Sequence, residues 1–185
     1  GLDYFVLPSG PGTGRGGKSF PRDGIVISGD VDLGEAYLHE LTHAIIGAAY
    51  PDSLQNNLVH EGIATWLGGS RGRPYAEAVR GLFEYQRNNP QVQFLDLIAG
   101  KVRSGWGNDD ADALYATGAL IADVVFTQNG IWGVKKLLAT RPPNRAVEPV
   151  LREMLEIWPE SMDAWWRNET DRAVKRREQA RAPAR

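Results

Sequence analysis

His39-Glu40-Leu41-Thr42-His43 is the stretch on which the reading of this chain turns. Residues four apart on an α-helix lie one above the other, so the two imidazoles project from one face and can meet at one metal ion. Glu40 is rotated by about 100° from His39 in a helix of 3.6 residues per turn, which sets its carboxylate beside the ion's open position. The flanking sequence predicts a helix over 33–50, capped by Asp32 and stopped by Pro51-Asp52. On it, Tyr37, Leu41, Ile45 and Ala48 form an apolar stripe expected to face the core. Ala36, His39, Glu40, His43 and Gly47 occupy the other side, where small residues leave room for a metal and a substrate.

A catalytic zinc needs a third protein ligand and an open fourth position. The chain has no cysteine, which excludes every thiolate site, disulfide framework and thiol nucleophile. Two candidates stand side by side, His60 and Glu61, on a second helix predicted over 54–67 and closed by Gly68-Gly69. Neighbours on a helix point about 100° apart, so one of them serves the ion and the other packs beside it or lines a cleft. The longer H-E-x-x-H-x-x-G-x-x-H pattern is excluded, because Ile46 and Ala49 stand where it needs Gly and His.

Further outward, Tyr4–Leu7 and Gly24–Ser28 read as short strands, with a glycine-rich loop over 9–19 between them. Gly12-Thr13-Gly14-Arg15-Gly16-Gly17-Lys18-Ser19 formally matches the phosphate-loop pattern. That loop works by opening a helix at its Lys-Ser, and Pro21 and Gly24 forbid one here, so the segment is expected to bind no nucleotide. Helices follow over Tyr75–Asn88 behind Pro74, over 112–128 capped by Asp112, over 131–140 after Gly130, and over 146–157 and 161–173. A short apolar stretch over 94–99 and a Gly/Asn/Asp loop over 105–110 lie between them. Trp66, Trp106 and Trp132 are expected as core anchors. The 185 residues suit one domain, expected over 1–172, with a β-rich edge (1–32), active-site helices (33–100) and a C-terminal helical part (101–172). Residues 173–185 are expected as a charged, flexible tail. The expected class is α+β, mostly helical, with a small N-terminal β-sheet.

A net charge of −2 argues against a domain held to nucleic acid by phosphate contacts, and no apolar run reaches bilayer length. The chain opens at Gly1 with no charged-then-apolar leader, and reads as a mature chain or as a segment of something longer.

His39–His43 followed by His60-Glu61-Gly62-Ile63-Ala64 resembles the gluzincin metallopeptidases, in which an E-G-x-A segment carries the third zinc ligand. More narrowly, the chain is similar to small bacterial proteins of the peptidase MA-like kind; the compartment stays open, with a secreted or cell-envelope setting favoured. The resemblance is specific over 33–69 and diffuse in the C-terminal half. It implies a zincin-type helix pair with one Zn²⁺ on His39, His43 and Glu61, and Glu40 as general base for peptide-bond hydrolysis. It implies too an oxyanion donor from the C-terminal part. With the histidines already used, Tyr115 is the candidate. Thermolysin-like members place an Asp four residues after the ligand glutamate to orient a histidine, where this chain has Thr65. From the family's layout, residues 24–30 are expected as a rim strand that adds an extended peptide. The rival reading is a non-catalytic binding module held together by zinc, against which an intact Glu40 argues.

Overall fold

Glycine backbones meeting glycine backbones explain how the helices of this protein pack. The computed structural model describes residues 4–7, 16–20, 24–28, 34–50, 56–71, 73–100 and 109–181. Helix α1 (Gly34–Ala49) carries the histidine pair, and α2 (Asn57–Gly68) carries His60 and Glu61. They are followed by α3 (Tyr75–Asn88), α4 (Phe94–Ile98) and α5 (Asp109–Leu138), the last broken at Gly130, where the backbone leaves helical geometry (φ 60°, ψ −154°). α6 (Val147–Leu155) and α7 (Met162–Arg181) complete the chain. α2 is the central rod, lying against α5 on one side and α1 on the other.

The crossing of α2 and α5 is set by Gly62 and Gly118. A Cβ on Gly62 would stand 2.4 Å from the backbone carbon of Gly118, and one on Gly118 would stand 2.2 Å from the carbonyl oxygen of Leu58. Only glycine at both positions lets the two backbones touch. Around that contact Leu58, Ile63, Leu120 and Ile121 are buried, and α3 and α7 close the core with Val79, Leu82, Met162 and Trp166. Trp166 is fully buried, and its indole N–H donates to the Thr117 hydroxyl at 3.1 Å, so the largest core side chain leaves no polar atom unpaired.

Three strands, β1 (Tyr4–Leu7), β2 (Gly16–Phe20) and β3 (Gly24–Ser28), pair in the order β1-β3-β2. They do not set the class of the fold. From Gly34 to Arg181 the described residues hold only helices, helical turns, connections and one isolated bridge, Ser70–Arg73, and every described core residue lies in that span. The expected α+β class is therefore corrected to all-α: the apolar faces that meet are helix on helix, and no sheet forms a layer of the described core. The strand order corrects a second expectation. β3 is paired on both sides, parallel to β1 and antiparallel to β2, so its backbone groups are taken and it cannot add a peptide strand as a rim. Lys18 and Ser19 lie in β2 rather than in a loop, and no helix opens at them, as a phosphate loop would need.

Other corrections follow from packing. α5 begins at Asp109, so Asp112 is not its cap but sits in its first turn, paired with Arg71 (3.1 Å) and Arg73 (2.9 Å). α2 begins at Asn57, with Asn56 accepting from the Val59 N–H. α7 runs to Arg181 with Ala173 buried, so residues 173–181, expected as tail, are helical. Trp132 is exposed, with Lys136 over its ring, and Trp66 is half-buried against Phe126. The Asp32 cap, the Pro51-Asp52 stop, residues 9–15 of the glycine-rich stretch, Trp106, residues 105–108 and the end of the tail lie outside the described residues. No described helix is long and apolar enough to cross a membrane.

Candidate metal centre

α1 turns toward α2 the face that its polar residues occupy. His39, Glu40, His43, Ala44, Ile46 and Gly47 are buried, whereas Leu38 and Ile45 are about half exposed (47% and 54%) and Ala48 is exposed. The predicted apolar stripe through Leu41, Ile45 and Ala48 is thus the outer side, and Tyr37's side chain lies outside the described part. The inversion has a steric cause. A Cβ on Gly68 would stand 2.2 Å from the backbone nitrogen of His39, so the end of α2 docks directly on the histidine turn of α1.

Across that contact three atoms converge. The Nε2 atoms of His39 and His43 are 3.0 Å apart, and Oε2 of Glu61 lies 3.3 Å from the first and 3.5 Å from the second. Ligands about 2.0–2.1 Å from a tetrahedral ion stand about 3.3 Å from one another, so these edges fit three ligands of one ion. The hydrogen bonds behind the ring point the same way. Nδ1 of His39 donates to the Gly69 carbonyl at 2.5 Å, which leaves Nε2 as a lone pair. Gly69 reaches that position in a left-handed conformation (φ 73°) just after α2, its own N–H capping the Thr65 carbonyl. Nδ1 of His43 shares a hydrogen bond with Nε2 of His60 at 3.3 Å, the two rings stacked 4.1 Å apart. Holding the rear nitrogen is how proteins aim a metal-binding imidazole.

The electrostatics match this geometry. Burial would raise the Glu61 pKa, but the hydrogen bonds and charges of His39 and His43 overcome it and hold the carboxyl down to about 2. Burial also works against charge on His39, yet Glu61, with help from the Gly69 carbonyl and Glu40, raises its pKa above the ordinary value. His60 is lowered to about 4, by burial first and then by the neighbouring His43, which keeps it a neutral partner.

His39, His43 and Glu61 are therefore brought together as a group that can hold a metal ion. His60 is not in it: its ring backs His43 and takes the orienting role. Thr65 plays no such part. It is fully buried on α2, and its hydroxyl has no hydrogen-bond partner among the described residues. Glu40 is buried on the same face of α1 and contributes to the field at both His39 and Tyr115. Tyr115, half-buried on α5, lies within electrostatic reach of the centre. Its phenol is pushed up to about 12 by burial first and then by the charge of Glu61, with Asp112 and Glu40 adding and Arg71 opposing.

The Gly69 carbonyl was not foreseen as part of the site. The signal was present in the Gly68-Gly69 pair, which read only as a helix stop. Compared with protein families, curated proteins and solved structures, the chain matches none of them.

Proposed function

We propose that this protein is a zinc-dependent peptidase of the gluzincin kind, hydrolysing peptide bonds with water. The observation that carries the reading is the convergence of two imidazole nitrogens and one carboxylate oxygen at 3.0–3.5 Å, with a second acidic side chain, Glu40, buried next to them. Two nitrogen donors with one carboxylate favour zinc over calcium or magnesium, which prefer all-oxygen sets. When bound, zinc supplies a Lewis acid that polarises the scissile carbonyl and lowers the pKa of water to about 7.

The chain's own residues do the rest. His39, His43 and Glu61 would hold the ion. Gly69 and His60 keep the two imidazoles aimed. Glu40 takes a proton from the attacking water and returns it to the leaving amine, a step contributing about 10²–10⁴-fold. Tyr115 donates its phenol hydrogen to the oxygen on which negative charge develops.

The test is metal content and peptide cleavage measured together. Wild-type protein reloaded with zinc is expected to carry about one ion per chain and to cut members of a fluorescence-quenched peptide library. Glu61→Gln is expected to lose most of the metal. Glu40→Gln is expected to keep metal and fold and to lose cleavage. A Glu40→Gln protein that cleaved as well as wild type would sink the mechanism, and a zinc-loaded wild type that cut nothing would leave the rival reading of a zinc-held binding module.

A further inference from the structure

The residues that follow α2 fold back as a tight turn beside the metal centre. Just after Gly69, whose carbonyl accepts from Nδ1 of His39, the backbones of Ser70 and Arg73 pair in both directions, N–H to carbonyl, at 2.8 and 2.9 Å. The Arg73 carbonyl lies so close to Gly69 that a Cβ there would stand 2.4 Å from it. Where the Gly69 carbonyl points is thus tied to the turn that follows it.

Within that turn Arg71 takes a left-handed backbone conformation (φ 52°), where glycine or asparagine is the usual residue. An arginine there is costly to the backbone, which points to a use for its side chain. The partner is Asp112. Nη1 of Arg71 reaches one carboxylate oxygen at 3.1 Å and Nη2 of Arg73 reaches the other at 2.9 Å, so a single acidic residue grips the turn twice. Asp112 stands in the first turn of α5, three residues before Tyr115, and the clamp joins the turn behind His39 to the helix turn that carries Tyr115. The three side chains are partly exposed (50%, 52% and 34%), so the pairs contribute little to global stability, and what they set is local geometry.

We infer that Asp112 is a positioning residue of the metal centre: by gripping Arg71 and Arg73 it fixes the turn whose Gly69 carbonyl aims His39 at the ion. The inference rests on the reading of His39, His43 and Glu61 as one metal site, and is independent of whether peptides are cleaved.

The test is metal affinity of the full chain, measured for Zn²⁺ by competition with a chromogenic chelator. The visible spectrum of the Co²⁺-loaded protein, whose bands report coordination geometry, is recorded beside it. Arg71→Asn puts asparagine before glycine, the pair that suits such a turn, so the turn is kept and only the guanidinium is lost. Asp112→Asn removes the charge that both arginines share. Each is expected to weaken zinc binding about 3–10-fold, less than the roughly 10–100-fold of a group that touches the imidazole itself. Each should also shift the Co²⁺ spectrum, with the urea midpoint close to wild type. Because both act through one clamp, the double variant should bind no more weakly than the worse single one. A purely electrostatic role predicts opposite signs instead, since losing the Arg71 cation would tighten binding of a dication and losing the Asp112 anion would loosen it. Opposite signs, additive losses, or wild-type affinity and spectrum in both single variants overturn the clamp. Glu61→Gln keeps the two readings apart. It should lose the metal whatever the clamp does, and if it binds zinc as wild type does, the metal site itself falls and the inference with it.

Discussion

An imidazole that binds a metal through one nitrogen is only as well aimed as the group behind the other. Here the groups differ in kind: a backbone carbonyl behind His39, and the neutral ring of His60 behind His43. Removing the latter by His60→Ala should leave the three ligands in place but loosen His43. Zinc affinity, measured by competition with a chromogenic chelator, is expected to fall about 10–100-fold. If His60→Ala released the metal and Glu61→Gln did not, the ligand assignment would be inverted. Thr65 invites the opposite experiment. Thr65→Val keeps the shape and removes an unpaired buried hydroxyl, so urea unfolding should show stability equal to or slightly above wild type. Burial, and after it the charge of Glu61, pushes the Tyr115 phenol up to about 12, so it keeps its proton across the neutral range and can donate. Tyr115→Phe is expected to lower peptide turnover about 10²-fold, by the same factor at pH 6 and at pH 9. A loss that grew between those values would point to a different ionisation. The sign for folding follows from the raised value: stability held by the neutral phenol is lost as pH climbs from about 10 through about 12.

At the scale of elements, the site is a consequence of where helices are allowed to touch. Gly62 follows the candidate ligand Glu61, and its contact with Gly118 presses α2 onto α5, which carries Tyr115. Gly62→Ala or Gly118→Ala puts a methyl into backbone rather than into a movable side chain. Either should destabilise the protein by about 1–3 kcal/mol or more in urea unfolding. Gly81 on α3 is the control. A Cβ there meets nothing within 4 Å, and Gly81→Ala on an exposed helical turn should stabilise by about 0.5–1 kcal/mol. Equal effects at Gly62 and Gly81 would show that the close approach does not limit packing. The limits of α3 could be read in advance, since Pro74 presets the first turn and Val79 and Leu82 mark the buried face. The buried face of α1 could not. Apolar periodicity assigns Ile45 to the core, but the polar cluster on the opposite side is what α2 covers, leaving Ile45 and Leu38 half exposed.

For the whole molecule, the candidate metal centre lies between the first two described helices, on a body closed by α7. Trp166 fills the core, and the Arg167 guanidinium ties down the carbonyls of Gln86, Pro90 and Val92 where α3 leads to α4. Because His39 and His43 stand on α1 and Glu61 on α2, a bound ion clips two elements together and stabilises only the folded chain. Zinc at a thousand times its dissociation constant should add about 4 kcal/mol, raising the melting temperature by about 10 °C. Glu61→Gln should show little of that rise. A melting temperature indifferent to zinc in wild type would mean that the three groups do not share an ion.

The local chemistry of the centre was written in the chain: His39 and His43 at a helical spacing, Glu40 between them, and an acidic candidate in Glu61 followed by glycine. Helical repeat alone turns those letters into geometry, because neighbours four apart need no partner to face the same way. Which of His60 and Glu61 reaches the other two was a tertiary matter, decided by the rotation of α2 as Gly62 and Gly68 seat it on α5 and α1. The all-α class was decided there as well. Short apolar runs near the N-terminus announce strands, but whether strands form a layer of a core depends on which surfaces are buried, and every described core residue lies in the helical span.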